Sequence, residues 1–117
     1  MSLEVSATAY GDLAMVAVAG PVGARGAPSL QASLGNVLAT RPQAMILDLA
    51  LVTSFGDAAV GVLTHTKARC ALQGCVLALC RVPDHVRETL VAERLDVPSY
   101  TTLADATETL LYAAAWR

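Results

Sequence analysis

Along the first ten residues apolar and polar positions alternate, with Leu3, Val5, Ala7 and Ala9 set against Glu4, Ser6, Thr8 and Tyr10. A period of two is the mark of a half-exposed strand. Gly11-Asp12 turns the chain, and the Val-rich run from Leu13 to Ala19 predicts a second strand, antiparallel to the first and covered on both faces. Residues 20–28, rich in Gly and Pro, read as a loop. The period then lengthens. Leu30, Leu34, Val37 and Leu38 recur at helical spacing between Pro28 and the Arg41-Pro42 stop, which predicts a helix of about three turns.

Met45 to Leu49 follows as a buried strand and reaches a short polar turn, after which Asp57 to about Gln73 predicts a second helix. Val60, Leu63, Cys70 and Ala71 supply its apolar face, and Gly74 its stop. Cys75 to Cys80 is a further central strand. Pro83 suits the first turn of a third helix that turns Val86, Leu90 and Val91 inward and Arg87, Glu88, Glu93 and Arg94 outward. A short segment at Val97 to Tyr100 precedes a last helix, entered through a capping-box-like Thr102-x-x-Asp105 and buried through Leu103, Ala106, Leu110 and Ala113 or Ala114. Strands alternating with about four helices predict an α/β layered domain, with a mainly parallel central sheet and an antiparallel N-terminal strand.

Composition sharpens this. At 117 residues the chain is expected to be one domain over residues 1–117. A domain of that size buries roughly two thirds of the surface its unfolded form exposes. Hydrophobic residues at 55% and charged residues at 15% exclude disorder. Net charge is −2, and there is no basic cluster and little aromatic content, so no nucleic-acid partner is expected. The apolar runs fall far short of the ~20 residues that span a bilayer, and Met1-Ser2-Leu3-Glu4 lacks a basic leader, so a cytoplasmic location is expected. Cys70, Cys75 and Cys80 match no common zinc spacing, and an odd count argues against a disulfide framework. They read as buried thiols packed as small hydrophobes.

Catalytic chemistry does not assemble. His65, two turns into the second helix, reads as a partly exposed helix residue, and His85, beside Asp84, as a solvated surface residue. Gly20-Pro21-Val22-Gly23-Ala24-Arg25-Gly26 matches neither a dinucleotide fingerprint nor a phosphate loop. No cofactor is expected.

The chemistry concentrates instead where the strand from Met45 feeds the helix at Asp57. A helix start presents N–H groups and the positive end of its dipole, a natural place for negative charge. Asp57 occupies that place. Read from Asp48, the run Asp-Leu-Ala-Leu-Val-Thr-Ser-Phe-Gly-Asp-Ala-Ala-Val-Gly-Val-Leu resembles the central signature of STAS domains, the family named for sulphate transporters and anti-sigma-factor antagonists. Without a gap, Asp57 stands on that family's phosphorylatable Ser, Gly56 on its Asp, Ala58 on the following Ser or Thr, and Ala59 on its Gly. Val82-Pro83 to Leu95-Asp96, Gly74-Cys75-Val76-Leu77 and Leu103-Ala104-Asp105-Ala106 also resemble family segments, so the likeness covers nearly the whole chain.

The resemblance implies a STAS-like fold and a non-catalytic, bacterial protein-interaction module whose partner is an anti-sigma factor or a related serine kinase. In such antagonists, phosphorylation of the Ser breaks the complex. Here Asp57 cannot accept phosphate from a Ser kinase, Ala58 has no hydroxyl, and Pro21-Val22-Gly23 lacks the acidic residues of the family's Gly-Glu-(Leu or Ile)-Asp loop. The implied contact surface is Ser54, Phe55, Gly56, Asp57 and Ala58, joined by Val22 and Gly23. Asp57 then has two readings. As an N-cap it contributes about 1 kcal/mol; as an imitation of phosphoserine it supplies one charge where the phosphate carries ~1.5 to 2. Ser54, the nearest remaining hydroxyl, reads as a turn residue. The rival reading is an adaptor subunit of a membrane transporter or of a stressosome-like assembly, and a homo-oligomer is compatible with either.

Overall fold

The computed structural model describes residues 2–115, with side chains through residue 110. Five strands form one mixed sheet in the order β1 (Glu4–Tyr10), β2 (Leu13–Val22), β3 (Ala44–Phe55), β4 (Val76–Cys80) and β5 (Ser99–Tyr100). The first pair is antiparallel and the others are parallel, as the alternation of elements predicts. Helices α1 (Ala27–Ala39), α2 (Asp57–Gln73) and α3 (Asp84–Ala92) make the crossovers between the parallel strands, and α4 (Leu103–Ala115) follows the last strand.

Alternation along the central strands divides the core into two layers. Met45, Leu47 and Leu49 of β3 pack with Leu30 and Leu34 of α1, Val62 and Leu63 of α2, and Val86 of α3. Ile46, one residue out of step, joins Ala78, Cys80, Ala106 and Leu110 beneath α4. Three helices therefore cover one face and a single helix the other. The position expected at Ala113 or Ala114 lies outside the described side chains.

Several boundaries move. β2 runs on through Gly20, Pro21 and Val22, and β3 through Val52 to Phe55, so what reads in sequence as loop and turn is paired strand, with register irregularities at Ala17/Ala19 and Gly20/Pro21. Those bulges, and the polar Thr53-Ser54, hide the extension from a simple alternation test. Gly20 sits at φ +98, and a Cβ there would stand 2.8 Å from the Ser2 carbonyl, so the N-terminal segment crosses where only Gly leaves room. Leu3, just before β1, and Val5 within it pack against the core, whereas Ala7 and Ala9 are exposed on the edge strand.

Helix faces are corrected too. The buried stripe of α2 is Ala59, Val62, Leu63, Thr66 and Cys70, while Val60 is half-buried and Ala71 exposed. Thr66 is tolerated inside because its hydroxyl donates to the Val62 carbonyl at 2.8 Å, satisfying it within the helix. In α3, Val86 and Leu90 set the inward stripe four residues apart; Val91 lies a further 100° round and is 73% exposed.

Candidate functional site

Two segments distant in sequence meet at the carboxyl end of the sheet, where the loops leaving parallel strands collect. Pro21 stands opposite Ser54 and Val22 opposite Phe55. The Gly56 N–H then donates to the Val22 carbonyl at 3.3 Å, which ties the start of α2 to the exit of β2. Val22, Gly23, Ser54, Phe55, Gly56, Asp57 and Ala58 are thus brought together as the sequence implies.

Their exposure sorts them. Ser54, Gly56 and Asp57 are exposed, Gly23 and Ala58 are partly so, and Phe55 leans on the core. Val22 is 0% exposed and its carbonyl is already engaged, which removes its side chain from the contact patch and makes it a support for Gly23. Ala24 and Arg25, exposed in the same loop, take the outer position instead.

Asp57 is not the helix cap. Gly56 holds that place in extended conformation (φ −98, ψ −169), its carbonyl accepting the Val60 N–H at 3.1 Å, and no side chain makes a capping bond. Glycine caps nearly as well as Asp, within a few tenths of a kcal/mol. Asp57 is instead the first helical residue, its carboxylate exposed beside the N-terminal N–H groups. There the dipole favours it by about 0.3–1 kcal/mol. The cap reading of Asp57 loses its hydrogen bond, and the charge is left facing solvent.

From Ala58 the surface continues into an open groove of about 870 Å³ between α1 and α2. Ala32, Gly35 and Gly61 keep it wide, and Gln31, His65 and Arg69 give it its polar members. Its α2 wall, not singled out from the sequence, is Ala58, Gly61, His65 and Arg69, and the signal that could have found it is their three- and four-residue spacing along one face. Pairing with α1 was not.

Polar contacts brace β3 elsewhere along its length. The Asp48 carboxylate pairs with the Arg81 guanidinium, with Nε donating to Oδ1 at 3.2 Å, and Oδ1 also accepts the Ala50 N–H at 3.1 Å. Hydrogen bonding and charge from Asp48 push the already basic Arg81 higher still. His85 is exposed, as expected of a surface residue, and its ring also places Nε2 3.2 Å from the Val52 carbonyl, so that nitrogen carries the proton and anchors α3 to β3. Both spans join residues 33 apart in sequence, which spacing alone does not reveal.

The STAS domain model matches residues 4–106. Among solved structures the chain resembles an anti-sigma factor antagonist from Mycobacterium paratuberculosis, with a TM-score of 0.85 at 24% identity over 93% of this chain and 94% of the other. It resembles RsbS of Moorella thermoacetica in a Ser-to-Glu variant, with a TM-score of 0.81 at 16% identity over 95% and 97% of the two chains. The Bacillus cell fate determinant SpoIIAA in its phosphorylated form gives 0.71 at 11% over 93% and 99%. No curated protein matches the sequence. Among the described residues, no helix is long and apolar enough to cross a membrane.

Proposed function

Because this chain belongs to the STAS domain family, we propose that it is a non-catalytic interaction module acting as an anti-sigma-factor antagonist, with a fixed negative charge where related proteins carry a switchable one. The observation that carries this reading is Asp57 itself, which is exposed at the first position of α2 and makes no capping bond that would explain it structurally. The contact surface is Ser54, Phe55, Gly56, Asp57 and Ala58 with Gly23, held on the backbone that Val22 supports. Its partner is an anti-sigma factor or related serine kinase in a bacterial cytoplasm.

Two of the structural neighbours support the reading by name, one being phosphorylated and another carrying Glu for Ser. A carboxylate at a helix start supplies part of what phosphate supplies there, one charge against ~1.5 to 2. The affinity of the module for its partner would then be set permanently rather than by a kinase.

The test is Asp57→Ser together with affinity capture from the source lysate. The variant is expected to accept phosphate from the captured kinase and, unmodified, to bind it more tightly than the wild type. No incorporation, with equal binding by both proteins, overturns the reading. Recovery of transporter subunits or a large assembly in place of an anti-sigma factor overturns the partner and favours the adaptor role.

A further inference from the structure

α2 and α3 end in the same way. In both, the chain passes through one residue of left-handed conformation, Gly74 at φ +70 and Arg94 at φ +54. The next N–H then bonds back to the carbonyl five residues earlier: Leu95 to Leu90 at 3.0 Å, and Cys75 to Cys70 at 2.8 Å. Helix ends of this type bring the side chains of those two residues into contact. After α3 the contact is made by two leucines. After α2 it is made by two thiols.

The Cys70 and Cys75 side chains are neighbours in one cleft, where Cys75 acts on the Cys70 thiol through hydrogen bonding and charge. Cys70 is 1% and Cys75 6% exposed, yet both line a small cleft of about 180 Å³ with Lys67 and Asp96 at its rim. The backbone bond that closes the turn holds the two positions near each other, as a disulfide requires. Cys80, on β4, lies in the opposite core layer beneath α4.

We propose that Cys70 and Cys75 are a dithiol oxidation site that closes to an intramolecular disulfide across the end of α2, with a low-molecular-weight disulfide as oxidant. Cys75, the more exposed, loses its proton to solvent and attacks one sulfur of the oxidant, forming a mixed disulfide and expelling one thiolate. Cys70 then gives up its proton and attacks the Cys75 sulfur, forming the internal bond and expelling the second thiolate. Two protein thiols are oxidised and one small disulfide is reduced to two thiols. The neighbouring Cys75 side chain and burial both push the Cys70 thiol up, consistent with its acting second.

The experiment treats the reduced full chain with oxidised glutathione, quenches with acid, denatures, alkylates and maps the product. All three cysteines fall in one tryptic segment, Cys70 to Arg81, so fragmentation of that segment assigns the bond. The expected result is the loss of two hydrogens, with alkylatable thiols falling from three to one and the survivor being Cys80. Three alkylated cysteines, or a bridge that includes Cys80, overturns the proposal. In Cys70→Ser, glutathione is expected to remain bound at Cys75; a variant that takes up none overturns the order of attack. Should that variant fail to fold, the wild-type map decides alone.

Discussion

The two ends of α2 are built on opposite plans. At its start the helix is held by backbone alone, with Gly56 capping without a side chain and tied to Val22 through main-chain atoms, while Asp57 faces solvent. At its end, Gly74 turns the chain in left-handed conformation and two buried thiols close the contact beneath it. One end leaves its side chains exposed to solvent, where the proposed function puts recognition, and the other commits them to packing. Substitutions should therefore cost little stability and much binding at the first end, and the reverse at the second.

The largest effect tests what lies between the ends. Leu63→Ala empties a buried site under α2 and is expected to cost about 3 kcal/mol in a denaturant titration, within the usual 2–5 for such a cavity. A loss below about 1 kcal/mol would mean that α2 is not seated as described. Next comes Gly74→Ala, which places a Cβ in a left-handed backbone with open space around it. The expected cost is about 1 kcal/mol from conformation alone; an unchanged midpoint would break the account of that end.

Smaller again is Asp57→Asn, expected to lower stability by about 0.3–1 kcal/mol at low salt and by less as salt screens the helix end. A salt-independent loss would restore a capping role to the side chain. Partner affinity should move by more than stability does, which separates recognition from folding.

The smallest effect is on the alkaline limb. The neighbouring Cys75 thiol and then burial raise the folded Cys70, and burial raises the folded Cys80, above the ordinary value of 9.0. Above that value the unfolded chain releases these protons while the folded chain keeps them, so the unfolded state binds fewer. Stability therefore falls as pH rises through and beyond it. Denaturant midpoints against pH should show this decline, and it should be shallower in Cys70→Ala whatever that variant's absolute stability.

The same contrast explains what was legible in the sequence. The limits of α2 could be read because Gly74 and the polar Ser54 to Asp57 segment act through local chemistry. The extension of β3 to Phe55 could not, since Val52 to Phe55 is strand only by virtue of pairing with a bulged β2. Periodicity found the mainly parallel sheet, its antiparallel first strand and the four helices, but it turned Val91 inward because three apolar residues in α3 looked like one stripe. The proximity of Val22 and Gly23 to residues 54–58 followed from the strand-to-helix joint and the family pattern, and the contact surface proposed there rests on both. The burial of Val22 and the His85 anchor depend on elements far apart in sequence and left no local trace.

The bond from Gly56 to the Val22 carbonyl has a consequence for how this surface can change over time. It joins the two site segments through atoms that every residue except proline possesses at the donor, so the platform does not depend on the side chains it displays. Residues 54 and 57, both exposed, are thereby free to drift independently of the scaffold. An acid can replace a hydroxyl at position 57 without redrawing the backbone beneath it. A lineage can abandon or regain a regulatory input at that position while the fold stays still.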